Sequence, residues 1–342
     1  MGNITIKDIA RLADVGIATV SRALNNSGTI NEETKKKILD IASKYHYIPN
    51  SNARNLKVSQ TQNIALLVKG ISNPFFADMM KEIQRQVNLR RYSLIIQQVD
   101  DETNELDVAM ELIMSKKICG IIFMGGTYNH PEEELIRLNI PCVLTTITLA
   151  EKQNSEFFSS VVIDEVKESK KATDYLLSLG HTKIVFLAKS PFVPNTTGNM
   201  RLKGYEEALL QAGLKFDPSL VGDCEYTPSS GYSAMNRLFS KHKDVTGIFA
   251  GADTIAIGCA KAALTSGRRI PEDVSIIGFD GIETAEYFNP SLDTISQPGI
   301  DMALSSINLL FDLINGTGKN EHITYQAVLL KRGSCSLAPV YK

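Results

Sequence analysis

No run of about 18 apolar residues occurs anywhere in the 342-residue chain, so no segment reads as a membrane-spanning helix. The five cysteines, Cys119, Cys142, Cys224, Cys259 and Cys335, form no Cys-x-x-Cys pair and have no histidine at zinc-ligand spacing. Four of them lie in or beside apolar runs, where cysteine serves as a small buried hydrophobe. This pattern argues against a disulfide framework or a structural zinc and points to a reducing compartment. The chain is polar from Asn3 onward and lacks the apolar core of a secretion signal, so a cytoplasmic protein without membrane contact is expected. A nucleophile elbow, a Walker loop, a dinucleotide fingerprint and His-Glu-x-x-His are all missing. No metal or cofactor is therefore called for, and an enzyme is not expected. Asp164 and Asp280 could be drawn as a hydrolase carboxylate pair, but isolated aspartates at strand ends are ordinary features of a sheet rim.

What is present is an ordinary globular composition, 43% hydrophobic and 22% charged, at a length that calls for two or three domains. The formal net charge of −2 conceals an asymmetry. Residues 1–58 hold nine Lys and Arg against five Asp and Glu, which leaves the remainder acidic. A basic head on an acidic body suits phosphate contact at one end, and it equally suits a merely solvated basic surface. Within the head, 6–12 and 17–24 read as two short helices separated by a turn containing Asp14 and Gly16, both tolerant of unusual backbone angles. Thr5 can cap the first helix, with Asp8 three residues on. Ile9, Ala10, Ala13, Val15, Val20 and Leu24 can close on one another, which leaves Ile17, Ala18, Thr19, Ser21 and Arg22 facing outward. Such a helix is shaped for a DNA major groove, although the spacing alone describes any amphipathic helix pair equally well. A third helix is expected from its cap Asn31 to about Tyr45, completing a three-helix head. Pro49 then stops it, and a short helix-compatible stretch precedes the polar linker 59–62.

From Asn63 onward, short apolar runs alternate with amphipathic helical stretches. The runs are 64–68, 93–97, 120–124, 142–146, 160–163, 184–188, 247–250 and 274–279, and the helices include 75–89, 106–116, 167–179, 200–212, 230–240 and 254–266. Repeated strand–helix units of this length imply an α/β architecture of parallel sheets with helices on both faces. The strands are too many for one sheet, so two lobes with a cleft between them are expected. The last helix, 302–314, and the run 323–330 would return to the lobes.

In this order, the chain resembles the lactose-repressor (LacI/GalR) family of bacterial transcription regulators over essentially its whole length. The resemblance rests on Thr5-Ile6-Lys7-Asp8-Ile9-Ala10, Thr19-Val20-Ser21-Arg22, Tyr47-x-Pro49-Asn50-x-x-Ala53-Arg54-x-Leu56, Ser72-Asn73-Pro74-Phe75-Phe76, Gly278-Phe279-Asp280 and Gln297-Pro298. Asp14 and Gly16 depart from the usual Gly and capping Ser of the family, substitutions that the turn can accommodate. The resemblance implies a helix-turn-helix domain over 1–48, a hinge helix and linker over 49–60, and an effector-binding and dimerisation domain over 61–342. That body would be a periplasmic-binding-protein-like core, with one lobe at about 61–162 and 298–322 and the other at about 163–297 and 323–342. The implied partners are palindromic double-stranded operator DNA and a second copy of the chain. Leu56 matches the residue that wedges into the minor groove at a central CG step, with Ala53 and Lys57 beside it on the hinge. Arg22 suits a bidentate guanine contact, Ile17 and Ala18 can touch a thymine methyl, and Thr5, Thr19, Ser21 and Asn25 suit the backbone.

For the cleft, the resemblance assigns effector contacts to Phe75, Phe76, Arg201 and Tyr226, although either phenylalanine could simply seal a helix start. Asp164 and Asp280 at strand ends and Asp253 at a helix start are further candidates, where an aspartate is also commonly only a cap or a rim residue. An aromatic wall, a forked donor and carboxylate acceptors suit a ligand rich in hydroxyls, hence a sugar or sugar derivative. Asn195 stands where purine-binding relatives carry Arg, which disfavours a nucleobase, whereas a sugar phosphate stays open because Arg201 could serve a phosphate. The alternative within the same fold is a global carbon-catabolite regulator controlled by a phosphorylated partner protein.

Overall fold

A computed structural model describes residues 6–25, 30–45, 62–128, 132–149 and 155–339. The chain divides into two compact units, Met1–Thr61 and Gln62–Lys342. The first holds α1 (Ile6–Ala13), α2 (Ile17–Asn25) and α3 (Glu32–Lys44). Asp14 turns the chain between α1 and α2 in the left-handed conformation, at φ 58°. The turn is closed by Val15 N donating to Ala10 O at 3.0 Å. Asn31 caps α3, its side chain accepting from Glu33 N at 2.9 Å, and Glu32 and Glu33 in the first turn complement the helix dipole. Ile9, Ala10, Ala13, Val20, Ala23 and Ile38 form the buried centre of this small unit.

In the second unit, the chain runs through β1 (Asn63–Val68), α4 (Phe75–Leu89), β2 (Ser93–Gln98), α5 (Glu105–Lys116), β3 (Gly120–Met124), β4 (Thr127–Tyr128), α6 (Glu132–Arg137), β5 (Cys142–Thr145), β6 (Thr148–Leu149) and β7 (Ser159–Ile163). It then enters α7 (Glu165–Ser178), β8 (Ile184–Ala188), α8 (Thr197–Gln211), β9 (Val221–Asp223), α9 (Pro228–Lys241), β10 (Gly247–Ala250), α10 (Asp253–Thr265), β11 (Ser275–Asp280), α11 (Glu283–Tyr287) and β12 (Asp293–Ser296). It closes with α12 (Gly299–Asn315), β13 (His322–Tyr325) and β14 (Val328–Leu330). The first sheet has the order β13-β7-β5-β3-β1-β2 and is parallel throughout. The second has the order β14-β12-β11-β10-β8-β9, parallel except for the antiparallel edge strand β14. Helices cover both faces of the parallel core, which is why β3, β8 and β10 are buried along their whole length and read as unbroken apolar runs.

The chain passes between the lobes three times: at Asp164 between β7 and α7, at Gln297 and Pro298 between β12 and α12, and at Gln326 and Ala327 between β13 and β14. This corrects the lobe boundary expected at residue 323. Residues 322–325 pair in parallel with β7, so the first lobe keeps this strand and only β14 returns to the second. The side chains hold the same pairing, with His322 Nδ1 lying 2.8 Å from Ser160 Oγ.

Candidate functional site

Two surfaces carry the expected site residues. In the first unit, Ile17 is 46% exposed on α2, Ala18 and Arg22 are exposed, and Thr19 and Ser21 are half-buried beside them. Arg22 Nε donates to Ala18 O at 3.3 Å, so the guanidinium runs back along the first turn of its own helix. Burial of Val20 and Ala23 on the opposite face fixes which side of α2 points outward. Thr5, Ala53, Leu56 and Lys57 lie outside the described residues, as does the side chain of Asn25.

In the second unit, a cleft of about 500 Å³ opens at the carboxyl ends of the strands. It is lined by Phe75, Phe76, Arg201, Tyr226 and Asp280 of the expected set. Phe75 and Phe76 begin α4 with ring centroids 5.5 Å apart, and Phe75 packs against the cores of both lobes. At the base lies a knot of charge. Asp280, 3% exposed, accepts from Asn73 Nδ2 at 2.8 Å and from Gln297 Nε2 at 2.7 Å. Its Oδ1 is also 3.9 Å from Arg201 Nη2. Arg201 donates through Nε to Glu165 Oε2 at 2.7 Å and through Nη1 to the carbonyl of Gly251. Its guanidinium lies 3.7 Å over the ring of Phe279. Three stretches that carry the family resemblance therefore meet at one carboxylate: Ser72–Phe76 through Asn73, Gly278–Asp280 through Asp280 itself, and Gln297-Pro298 through Gln297.

The electrostatics follow from this burial. Burial pushes the Asp280 carboxyl up to about 6, against the pull of Arg201 and the amide donors. Burial also pulls the Arg201 guanidinium downward, but the carboxylates of Glu165 and Asp280 outweigh it and hold the group firmly charged. Burial raises the Tyr226 phenol, which stays protonated as a donor. The backbone of Asp280 is itself strained, at φ 108°, and Gly281 follows at φ 81°. A non-glycine residue held there costs on the order of 1–3 kcal/mol, which the surrounding hydrogen bonds must overcome.

Asp164 and Asp253 are placed differently from expectation. Asp164 caps α7 by accepting from Lys167 N at 3.1 Å, and its neighbour Glu165 faces the cleft instead. Asp253 is fully buried behind the wall and is not among the residues that line the cleft. Its Oδ2 accepts from Gly281 N at 2.7 Å and Ile282 N at 2.8 Å, and its Oδ1 bonds Thr294 Oγ1 at 2.7 Å. It therefore props the turn that carries Asp280. Gly278 is the space this requires, since a Cβ there would lie 2.1 Å from Asp253 Oδ1. Sequence reasoning missed Asn73, Glu165 and Gln297, and also three ion pairs at the cleft. Lys69 Nζ donates to Glu105 Oε2 at 2.6 Å, and Lys189 pairs with both Asp101 and Glu225. Asn73 and Gln297 lie inside the family-like stretches; the lysines carry no local signal beyond following strands β1 and β8.

The profile of bacterial regulatory proteins of the lacI family matches residues 5–50, and that of the periplasmic binding protein-like domain matches residues 173–335. The transcriptional regulator MalR of Clostridium butyricum is 37% identical over 337 residues, covering 96% of this chain and 98% of its own. The chain belongs to the lacI family. Among solved structures, this lacI-family chain is similar to the regulator CelR in complex with cellobiose, at a TM-score of 0.71 and 27% identity over 97% of this chain and 99% of that one. The lac repressor dimer bound to operator and the anti-inducer ONPF shares the fold at a TM-score of 0.79 and 21% identity, covering 98% and 100% of the two chains. Among the described residues of the lacI-family chain, no helix is long and apolar enough to cross a membrane.

Proposed function

We propose that the chain is a cytoplasmic, operator-binding homodimer that represses transcription, and that a sugar or sugar derivative in the cleft controls its affinity for DNA. The observation that carries this reading is the base of the cleft, where Arg201 and Asp280 present buried polar atoms beside the aromatic faces of Phe75, Phe76 and Tyr226. Carboxylates accept from hydroxyls, the guanidinium donates a fork, and the rings pack against the apolar face of a pyranose. A relative of the same fold is named for its cellobiose complex, which supports this chemistry.

On the DNA side, Arg22 reads guanine, Ile17 and Ala18 touch thymine methyls, and Thr5, Thr19, Ser21 and Asn25 position the phosphate backbone. Leu56, flanked by Ala53 and Lys57 on the hinge, wedges into the minor groove at the centre of the palindrome. The link between the two sites is lobe geometry. Asn73 lies in the first lobe, Asp280 in the second and Gln297 on the crossing between them, so a ligand whose hydroxyls take over part of Asp280's bonding resets the angle between the lobes. The reading requires that a free sugar alone change operator affinity, with no partner protein present. A thermal-shift screen of the full chain against common mono- and disaccharides, followed by operator titration with each hit, tests this. If no saccharide shifts either melting or DNA affinity, the reading is wrong and control by a protein partner takes its place. A Leu56→Ala variant that grips a palindrome with a central CG step as tightly as the parent would falsify the hinge assignment.

A further inference from the structure

The charges around the cleft are unbalanced. Among the described residues that line it, three cations, Lys69, Lys189 and Arg201, face six carboxylates. Each cation is already held. Lys69 is 12% exposed against Glu105 at 8%, with a 2.6 Å contact. Arg201 is bound to Glu165 and lies close to Asp280, and Lys189 bridges Asp101 and Glu225. An anionic ligand group must therefore detach a carboxylate from its cation, and at Lys69 or Arg201 that carboxylate is buried and would be left without its charge partner. A neutral hydroxyl makes no such demand, because each paired carboxylate oxygen keeps lone pairs that can accept a further hydrogen bond.

Resting on the sugar-effector reading, we infer that the cleft selects an uncharged saccharide and rejects its phosphorylated or carboxylated counterpart. The discrimination arises because Lys69, Lys189 and Arg201 are each neutralised by carboxylates of the protein itself. The inference also locates where discrimination can be undone. Asp101 and Glu225 are exposed at the cleft, with side chains 56% and 62% accessible, so neutralising them releases the Lys189 ammonium without disturbing a core.

The test uses the full chain and matched pairs of probes: glucose with glucose 6-phosphate, and maltose or cellobiose with the corresponding 6′-phosphate. Isothermal titration should show the neutral member of a binding pair favoured by at least about tenfold, since admitting the phosphate means separating an ion pair. In a double variant, Asp101→Asn with Glu225→Gln, that ratio should fall because Lys189 becomes available to the phosphate. Tighter or equal binding of the phosphorylated member by the parent overturns the inference while leaving the sugar reading intact. A ratio unmoved in the double variant overturns the assignment of selectivity to the paired cations. Binding of no saccharide of either charge removes both the inference and the reading on which it rests.

Discussion

Arg201 makes three different demands on its side chain: a donor to Glu165, a donor to the carbonyl of Gly251, and a flat face over Phe279. A lysine supplies one compact charge and no plane, so Arg201→Lys does not conserve the site. Arg201→Ala leaves Glu165 and Asp280 facing each other without their shared cation. It should lower stability by about 3–5 kcal/mol in urea unfolding and abolish the sugar-induced thermal shift. Unchanged unfolding would mean that the guanidinium is peripheral to the knot. Asp253 offers a test through pH. Burial, aided by the negative charge of Asp280, pushes its carboxyl up to about 7 despite three hydrogen bonds. A carboxyl whose folded pKa lies above its unfolded value contributes stability that is fully present below about pH 4 and is lost as pH rises through about 7. In Asp253→Asn, the amide oxygen can accept from Gly281 and Ile282 while the amide nitrogen donates to the Thr294 hydroxyl. The melting temperature of the variant minus that of the parent should therefore climb between about pH 5 and pH 8. A flat difference would show that Asp253 is ionised throughout.

At the scale of elements, the turn between α1 and α2 is held open by one residue in a conformation that L side chains disfavour, Asp14 at φ 58°. Asp14→Gly removes that penalty, which glycine's greater freedom in the unfolded chain partly offsets. The net expectation is a gain of roughly 0.5–1 kcal/mol, seen as slower amide exchange in α1 and α2 of the full chain. Faster exchange would show that the aspartate side chain does more for the turn than its backbone costs. This turn was legible in the sequence, as were β1, β3, β8 and β10, because strands buried on both faces must be apolar throughout. Strand β12 was not legible. Its sequence Asp293-Thr294-Ile295-Ser296 reads as a loop, yet it lies inside the sheet because partners distant in sequence satisfy its polar groups, among them Ser334 N to Asp293 Oδ1 at 2.9 Å. The cleft shows the same limit. Asp164 was recognisable as the end of a strand and Asp253 as the start of a helix, but whether a carboxylate there turns to its own helix, to the cavity or to a neighbouring turn depends on contacts that local sequence does not record. Asn73 was hidden for a similar reason, since its partner Asp280 is 207 residues away.

On the scale of the whole body, three covalent crossings let the lobes move relative to one another, and the side chains around Asp280 join them across the cleft, as do the Lys189–Asp101 pair and the ring of Phe75. Asn73 is the donor from the first lobe, at 2.8 Å from Asp280 Oδ2. Asn73→Asp replaces that donor with a second carboxyl at hydrogen-bond distance, in a site where burial already raises Asp280 to about 6. Two carboxylates so placed resist ionising together, and a shared proton binds them when only one is ionised. The sign of the effect is therefore fixed. Near pH 5, the pair holds a proton and the lobes stay joined, whereas near pH 8 both groups carry charge and the lobes separate. Small-angle scattering of the full variant should report a larger radius of gyration at the higher pH. Asn73→Ala, which loses the bond without adding a charge, should show no such pH dependence. Operator affinity measured in parallel then reads the coupling directly: if lobe separation releases DNA, Asn73→Asp should lose affinity as pH rises, beyond any change in Asn73→Ala. A variant whose scattering is the same at both pH values would show that the Asn73–Asp280 bond does not govern lobe closure. If the scattering changes but operator affinity does not, lobe geometry is uncoupled from DNA binding, and the cleft controls the hinge by another route.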